Sequence, residues 1–253
     1  MKYLIYLLVL FFQFKNGLAQ NKKIAFSGEI SYEKKINRYP RANRILYNQK
    51  ERYDIANYLS ELKKADQFEV QKLKLLFSKE ESLMTNNTGE RNGVVDMAID
   101  APLSFYYRDI VKDSMTFGRT VLGEEFLVQD RALPIVWKYT DEKMNILGYE
   151  CKRANGLYRD SIYVVAFYTN QIPVSIGPDS FNGLPGAILG LSLPHENISV
   201  FATEVLLKPV VIIKEKTNVK NKMTLHTYLS LLEKSFAQFD RIRINENLKT
   251  LSY

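Results

Sequence analysis

The chain holds one cysteine, two histidines and one tryptophan in 253 residues. A lone Cys151 cannot close an intrachain disulfide, so the fold must be held by its core. His195 and His226 are too few for a zinc site, and neither CxxC nor HExxH occurs. No metal and no cofactor is expected on that basis. A Gly-x-Ser-x-Gly elbow and a glycine-rich phosphate loop are also missing. The apolar run Leu4 to Phe12 is nine residues long, too short to cross a bilayer as a helix.

Glycine and proline are sparse, at 12 and 8. Four of those glycines and three of those prolines fall between Ile172 and Leu193. Pro185 fixes its own φ and pushes Leu184 toward an extended conformation. Leu184 to Ala187 therefore reads as a type II turn, with Gly186 taking the positive φ. Gly177-Pro178 makes a second break upstream. Behind the turn, Ala187, Leu189, Leu191 and Leu193 alternate with Ile188, Gly190 and Ser192, which is a strand pattern.

These residues also resemble a known signature. Gly183-Leu184-Pro185-Gly186, followed by Ala187-Ile188-Leu189, is similar to the motif of the GLPGLI family, secreted proteins of Bacteroidota. Ile172-Pro173, Gly177-Pro178 and Phe181 agree with its run-up, as does Gly148-Tyr149-Glu150-Cys151-Lys152. Phe126-Leu127-Val128, Asp130 and Trp137 resemble an earlier block. Ala187 stands where the family has Leu. The resemblance implies an exported protein and carries no biochemical activity with it.

What is abundant is apolar and aromatic. Hydrophobic residues make up 46%, charged residues 25%, and there are 16 Tyr and 14 Phe. That composition supports a real core and leans toward strands. The net charge of +7 is spread. Lys34-Lys35 and Lys63-Lys64 have acids close by, so a solvated surface is expected and nucleic acid is not. Lys2, the Leu4 to Phe12 run and Gly17-Leu18-Ala19 read as a signal peptide over residues 1–19, cleaved after Ala19. Residues 20–253 then form a single GLPGLI-type domain with no transmembrane segment, placed in the periplasm or at the outer membrane.

Alternation predicts a first strand over Lys23 to Lys35. Helical spacing follows from Ala42 to Ala65, and strand returns from Phe68 to Leu83 with a slip of phase near Lys72. Thr85 to Pro102 reads as loop. Short strands follow from Ser104 to Lys216, including Met144 to Ala154 and Val210 to Lys216, and Asn155-Gly156 suggests a hairpin turn. Thr224 to Arg241 closes the chain as a helix capped by Thr224. The fold class expected is α+β, mainly β: a strongly curved antiparallel sheet, as an open half-barrel, with packed helices.

Chemistry is thin. Cys151 with a histidine could pair as nucleophile and base, although its strand position favours a buried core thiol. Glu80-Glu81, Glu124-Glu125 and Asp141-Glu142 read as exposed charges, and a dispersed carboxylate pair would have to assemble in space. The aromatic load reads either as the core and outer edge of a twisted sheet or as a concave apolar face with Trp137, Tyr163, Phe167 and Phe181 as ligand-binding residues. Gly177, Pro178, Gly183, Leu184, Pro185 and Gly186 form its signature turn. The function expected is an exported, non-enzymatic binding or accessory protein of the cell envelope, holding a lipid, a lipoprotein or another apolar ligand. The alternatives are a hydrolase with a dispersed site and a structural partner of an outer-membrane transport complex.

Overall fold

The structure, a computed structural model, describes residues 26–40, 66–87, 103–121, 124–159, 161–214 and 222–236. The expected signal peptide and the helical stretch from Ala42 to Ala65 lie outside them.

The strands are β1 (Gly28–Asn37), β2 (Phe68–Phe77), β3 (Glu81–Asn86), β4 (Leu103–Asp109), β5 (Ser114–Val121) and β6 (Glu124–Arg131). They continue with β7 (Val136–Ile146), β8 (Tyr149–Tyr158), β9 (Ile162–Thr169), β10 (Ala187–Leu193), β11 (Ile198–Leu206) and β12 (Lys222–Met223). Among the described residues, one helix of more than a single turn, α1, spans Leu225–Phe236, and Pro194–Glu196 makes a short 3-10 turn.

All twelve strands belong to one sheet in the order β12-β6-β5-β4-β3-β2-β1-β11-β10-β9-β8-β7. From β1 to β6 the chain steps outward as one meander. From β7 to β11 it steps back inward, until β11 pairs antiparallel with β1. Only β12 joins in parallel, beside β6.

That connectivity requires strong curvature. β6 and β7 are ten strand steps apart, about 48 Å across a flat sheet at roughly 4.8 Å per step. Only residues 132–135 join them, and five Cα steps span at most about 19 Å. The sheet therefore rolls its two ends toward each other, and it remains open.

The inner face carries the main core. Ile30, Tyr32, Leu73, Leu75, Phe77, Met84, Phe117, Val128, Val164, Ala166, Leu191 and Val200 are all buried there. A small second cluster of Leu83, Phe105, Tyr107 and Leu127 lies apart from it, with Ile212 packed against it. Residues 207–214 form no ladder, so the strand expected over Val210 to Lys216 does not form in its described part. They run as a strap, with Lys214 4.3 Å from the Tyr107 ring centroid.

The expected α+β class with packed helices is overturned. Among the described residues the chain is mostly β, and helix is confined to α1 and single turns. Long-range ladders take up nearly all the alternating runs. The one full helix covers a short stretch of the inner face, where Tyr228 packs on Phe117 and Phe126. Thr224 does cap it, its Oγ1 accepting the Thr227 N–H at 3.2 Å.

Two local readings also change. The hairpin turn sits at Leu147-Gly148, both at positive φ (52° and 83°), as a type I′ turn requires. Asn155-Gly156 lies inside β8, where Gly156 pairs with Trp137 and leaves room for its ring. In β2 there is no slip of phase. Gln71 and Glu69 point inward and are buried, joined by a 2.8 Å hydrogen bond, while Val70 and Phe68 are exposed.

Candidate functional site

The signature segment fills the inner face that was expected to hold a ligand. Ile172, Val174, Ile176, Phe181 and Leu184 are all buried in the main core. Three tight i to i+2 hydrogen bonds compact its backbone: Val174 N to Ile172 O (2.8 Å), Ile176 N to Val174 O (2.9 Å) and Gly186 N to Leu184 O (2.8 Å). Two of them centre on Pro173 and Pro185, whose fixed φ suits such turns.

Four strands hold the segment in place. Lys34 of β1 donates to Asp179 Oδ2 at 2.9 Å, and both side chains are nearly buried. From β4, Arg108 Nη1 donates to Ser175 O at 3.0 Å. Met84 Sδ of β3 accepts the Asp179 N–H at 3.2 Å. On β7, Trp137 Nε1–H donates to Asn182 O at 2.9 Å. The segment's exit is fixed as well, with Tyr32 Oη donating to Ile188 O at 2.7 Å.

The expected type II turn is corrected. Gly186 is not at positive φ; Gly183 is, at 90°. A Cβ on Gly186 would run into the Thr169 carbonyl, so close backbone approach requires that glycine. Gly183 and Pro185 are exposed at the tip, whereas Gly177, Pro178, Leu184 and Gly186 are buried.

The four aromatic candidates do not converge. Trp137 is half-buried on the edge strand beside Gly183. Phe181 is buried, its ring 5.3 Å from that of Tyr158. Tyr163 and Phe167 share the other face of β9, opposite Ile162, Val164 and Ala166. Tyr163 meets His195 there, ring to ring at 6.2 Å.

The thiol and carboxylate candidates are placed as follows. Cys151 is fully buried, and burial pushes its thiol up to about 11. Glu81 accepts the Tyr107 hydroxyl at 2.7 Å. Glu142 takes both oxygens to Arg153 Nη1, at 2.7 and 2.6 Å. Glu124 and Glu125 are exposed. Among the described residues, no group of three His, Cys, Asp or Glu side chains could hold a metal ion.

Sequence reasoning missed Lys34, Asp179 and Asn182. Lys34 was within reach, because Ile30, Tyr32, Lys34 and Ile36 are in one phase of β1 and all are buried. Its partner lies 145 positions away, and no local pattern names it.

This arrangement covers the stretch that comparison with known proteins picks out. Residues 156–190 match a family model. Its description is "Protein of unknown function (Porph_ging)", a family associated with Bacteroidota. The match runs from Gly156, under Trp137, through the signature segment into β10. No curated protein sequence matches the chain.

Two solved structures of PNGF-II, in P21 and C2 crystals, share the fold, with TM-scores of 0.54 and 0.52. Identity is 16% and 17%, and each alignment covers 83% of this chain. The chain spans about a third of the length of those structures, 34% and 33%. At this identity the likeness is one of fold.

Proposed function

We propose that the chain is an exported, non-enzymatic accessory module of the cell envelope, of the GLPGLI type, that docks a protein partner. The observation that carries this reading is the filled inner face. With Ile172, Phe181 and Leu184 packed against the sheet, an acyl chain has no surface there to occupy. What the signature leaves at the surface is Gly183 and Pro185, beside Trp137 of β7, the edge strand among the described residues.

Other features support it. Val136 is 84% exposed on β7, and its cross-strand partner Leu157 is 50% exposed. Such a row at a sheet edge suits a partner's strand or apolar side chain. Export is supported by the leader-like residues 1–19, and the GLPGLI type by Gly183 to Ile188 lying within the matched residues. The thiol version of the hydrolase reading loses its support, because Cys151 is both inaccessible and held protonated.

The test is a photo-crosslinker at Val136 of the full chain, activated in intact envelopes. A discrete protein adduct that disappears in a Trp137→Ala background supports the module. A co-purifying apolar mass in native mass spectrometry, with no adduct, returns the chain to the lipid-carrier reading.

A further inference from the structure

Lys34 and Asp179 are held as two reacting groups would be. Lys34 Nζ lies 2.9 Å from Asp179 Oδ2, and the side chains are 11% and 5% exposed. Both backbones are fixed. Lys34 is laddered to Gln71 of β2 on one side and to Val200 of β11 on the other. Asp179 sits at φ 51°, in a segment that Arg108, Trp137 and Met84 tie to three further strands. A second acid, Glu69, is buried on the same face of β2 as Gln71. It is a diagonal neighbour of Lys34 across the ladder, a spacing of about 7–8 Å that long side chains reach over. Gln71 Nε2 at 2.8 Å and Arg38 Nη2 at 3.0 Å donate to its carboxylate and fix its position.

This geometry suits a condensation. The contact leaves the lysine nitrogen one bond away from the carboxyl carbon. Groups held at such range and orientation react with effective molarities of about 10⁵–10⁸ M. Water opposes amide formation in solution, and a buried site keeps it out. The single cysteine rules out an intrachain disulfide, so an amide here would supply a covalent staple by other means.

We propose that Lys34 and Asp179 join as an intramolecular amide, a cross-link between the middle strand of the sheet and the signature segment. One proton passes from Nζ to Oδ2, which leaves an amine facing a carboxylic acid. The nitrogen lone pair attacks Cγ and the Nζ–Cγ bond forms. Glu69 takes a proton from the nitrogen and returns it to the departing hydroxyl. The Cγ–O bond breaks, and the products are the amide and one water. The ammonium and carboxylate charges cancel, and no oxidant or other reagent enters. The bond closes a loop between positions 145 apart.

The test is mass spectrometry of the folded full chain and of its denatured digest, for the parent, Lys34→Arg and Glu69→Gln. Lys34→Arg keeps a charge beside Asp179, but its guanidinium stays protonated and cannot attack. The parent should be one water lighter than its sequence requires, after any processing of its N-terminus. Its digest should contain one branched peptide that joins Lys34 to Asp179. Lys34→Arg should have its full mass, and Glu69→Gln should carry the cross-link in a minor fraction of molecules. A parent digest in which the two peptides are separate overturns the proposal, whether or not either variant folds. So does a lost water that persists in Lys34→Arg, which marks a cyclic imide at an aspartate instead. Cross-linking as complete in Glu69→Gln as in the parent overturns the proton transfer through Glu69.

Discussion

Lys34 and Asp179 form a 2.9 Å ion pair between the middle strand of the sheet and the signature segment, with side chains 11% and 5% exposed. The pair is separated by 145 residues in the chain. Removing Lys34 leaves the Asp179 carboxylate buried without its ion-pair partner, at a cost of about 3–5 kcal/mol. Lys34→Met and Asp179→Asn should each unfold at much lower urea than the parent. The Lys34→Met, Asp179→Asn double variant should recover part of the loss. Strict additivity in a double-mutant cycle would show that the pair does not hold the segment.

Much of the sheet was legible because its strands alternate cleanly. β1 carries its apolar residues Ile30, Tyr32 and Ile36 in one phase, and residue type alone places it. The errors have physical causes. Phe68 and Val70 are apolar yet exposed, while Glu69 and Gln71 are polar yet buried, because Glu69 bonds to both Gln71 and Arg38. Asn155-Gly156 has turn chemistry, but Gly156 serves to seat the Trp137 ring. The site was half-visible. Proline and glycine density marked Ile172 to Leu193, yet nothing local showed that this stretch would occupy the inner face itself.

The two signature glycines should fail for different reasons. Gly186→Ala places a Cβ against the Thr169 carbonyl, and the backbone must move. Gly183→Ala meets only the Trp137 indole, at 3.3 Å, but forces φ of 90° on a side-chain-bearing residue, a strain of about 1–2 kcal/mol. Urea unfolding followed through Trp137, the sole tryptophan, should show Gly186→Ala as the more damaging. The reverse order would mean that φ, and not the approach to Thr169, decides the turn.

Cys151 sets the alkaline limit. Burial raises its thiol to about 11 in the folded chain, against an ordinary value of 9.0. Above pH 9 the unfolded thiol loses its proton while the folded one keeps it. The folded state then binds more protons, and stability falls as pH rises. The contribution is fully present below pH 9 and is lost between about 9 and 11. Tyr32, Tyr106 and Tyr107 are raised too, the first two mainly by burial and Tyr107 by desolvation and its bond to Glu81, so the decline continues at higher pH. Urea midpoints should be flat up to pH 9 and then decline, and Cys151→Ala should remove the first part of that fall. The native thiol should also resist a water-soluble disulfide reagent at pH 8 and react only when the chain unfolds. Rapid native labelling would place Cys151 at an accessible surface and return the thiol chemistry to consideration.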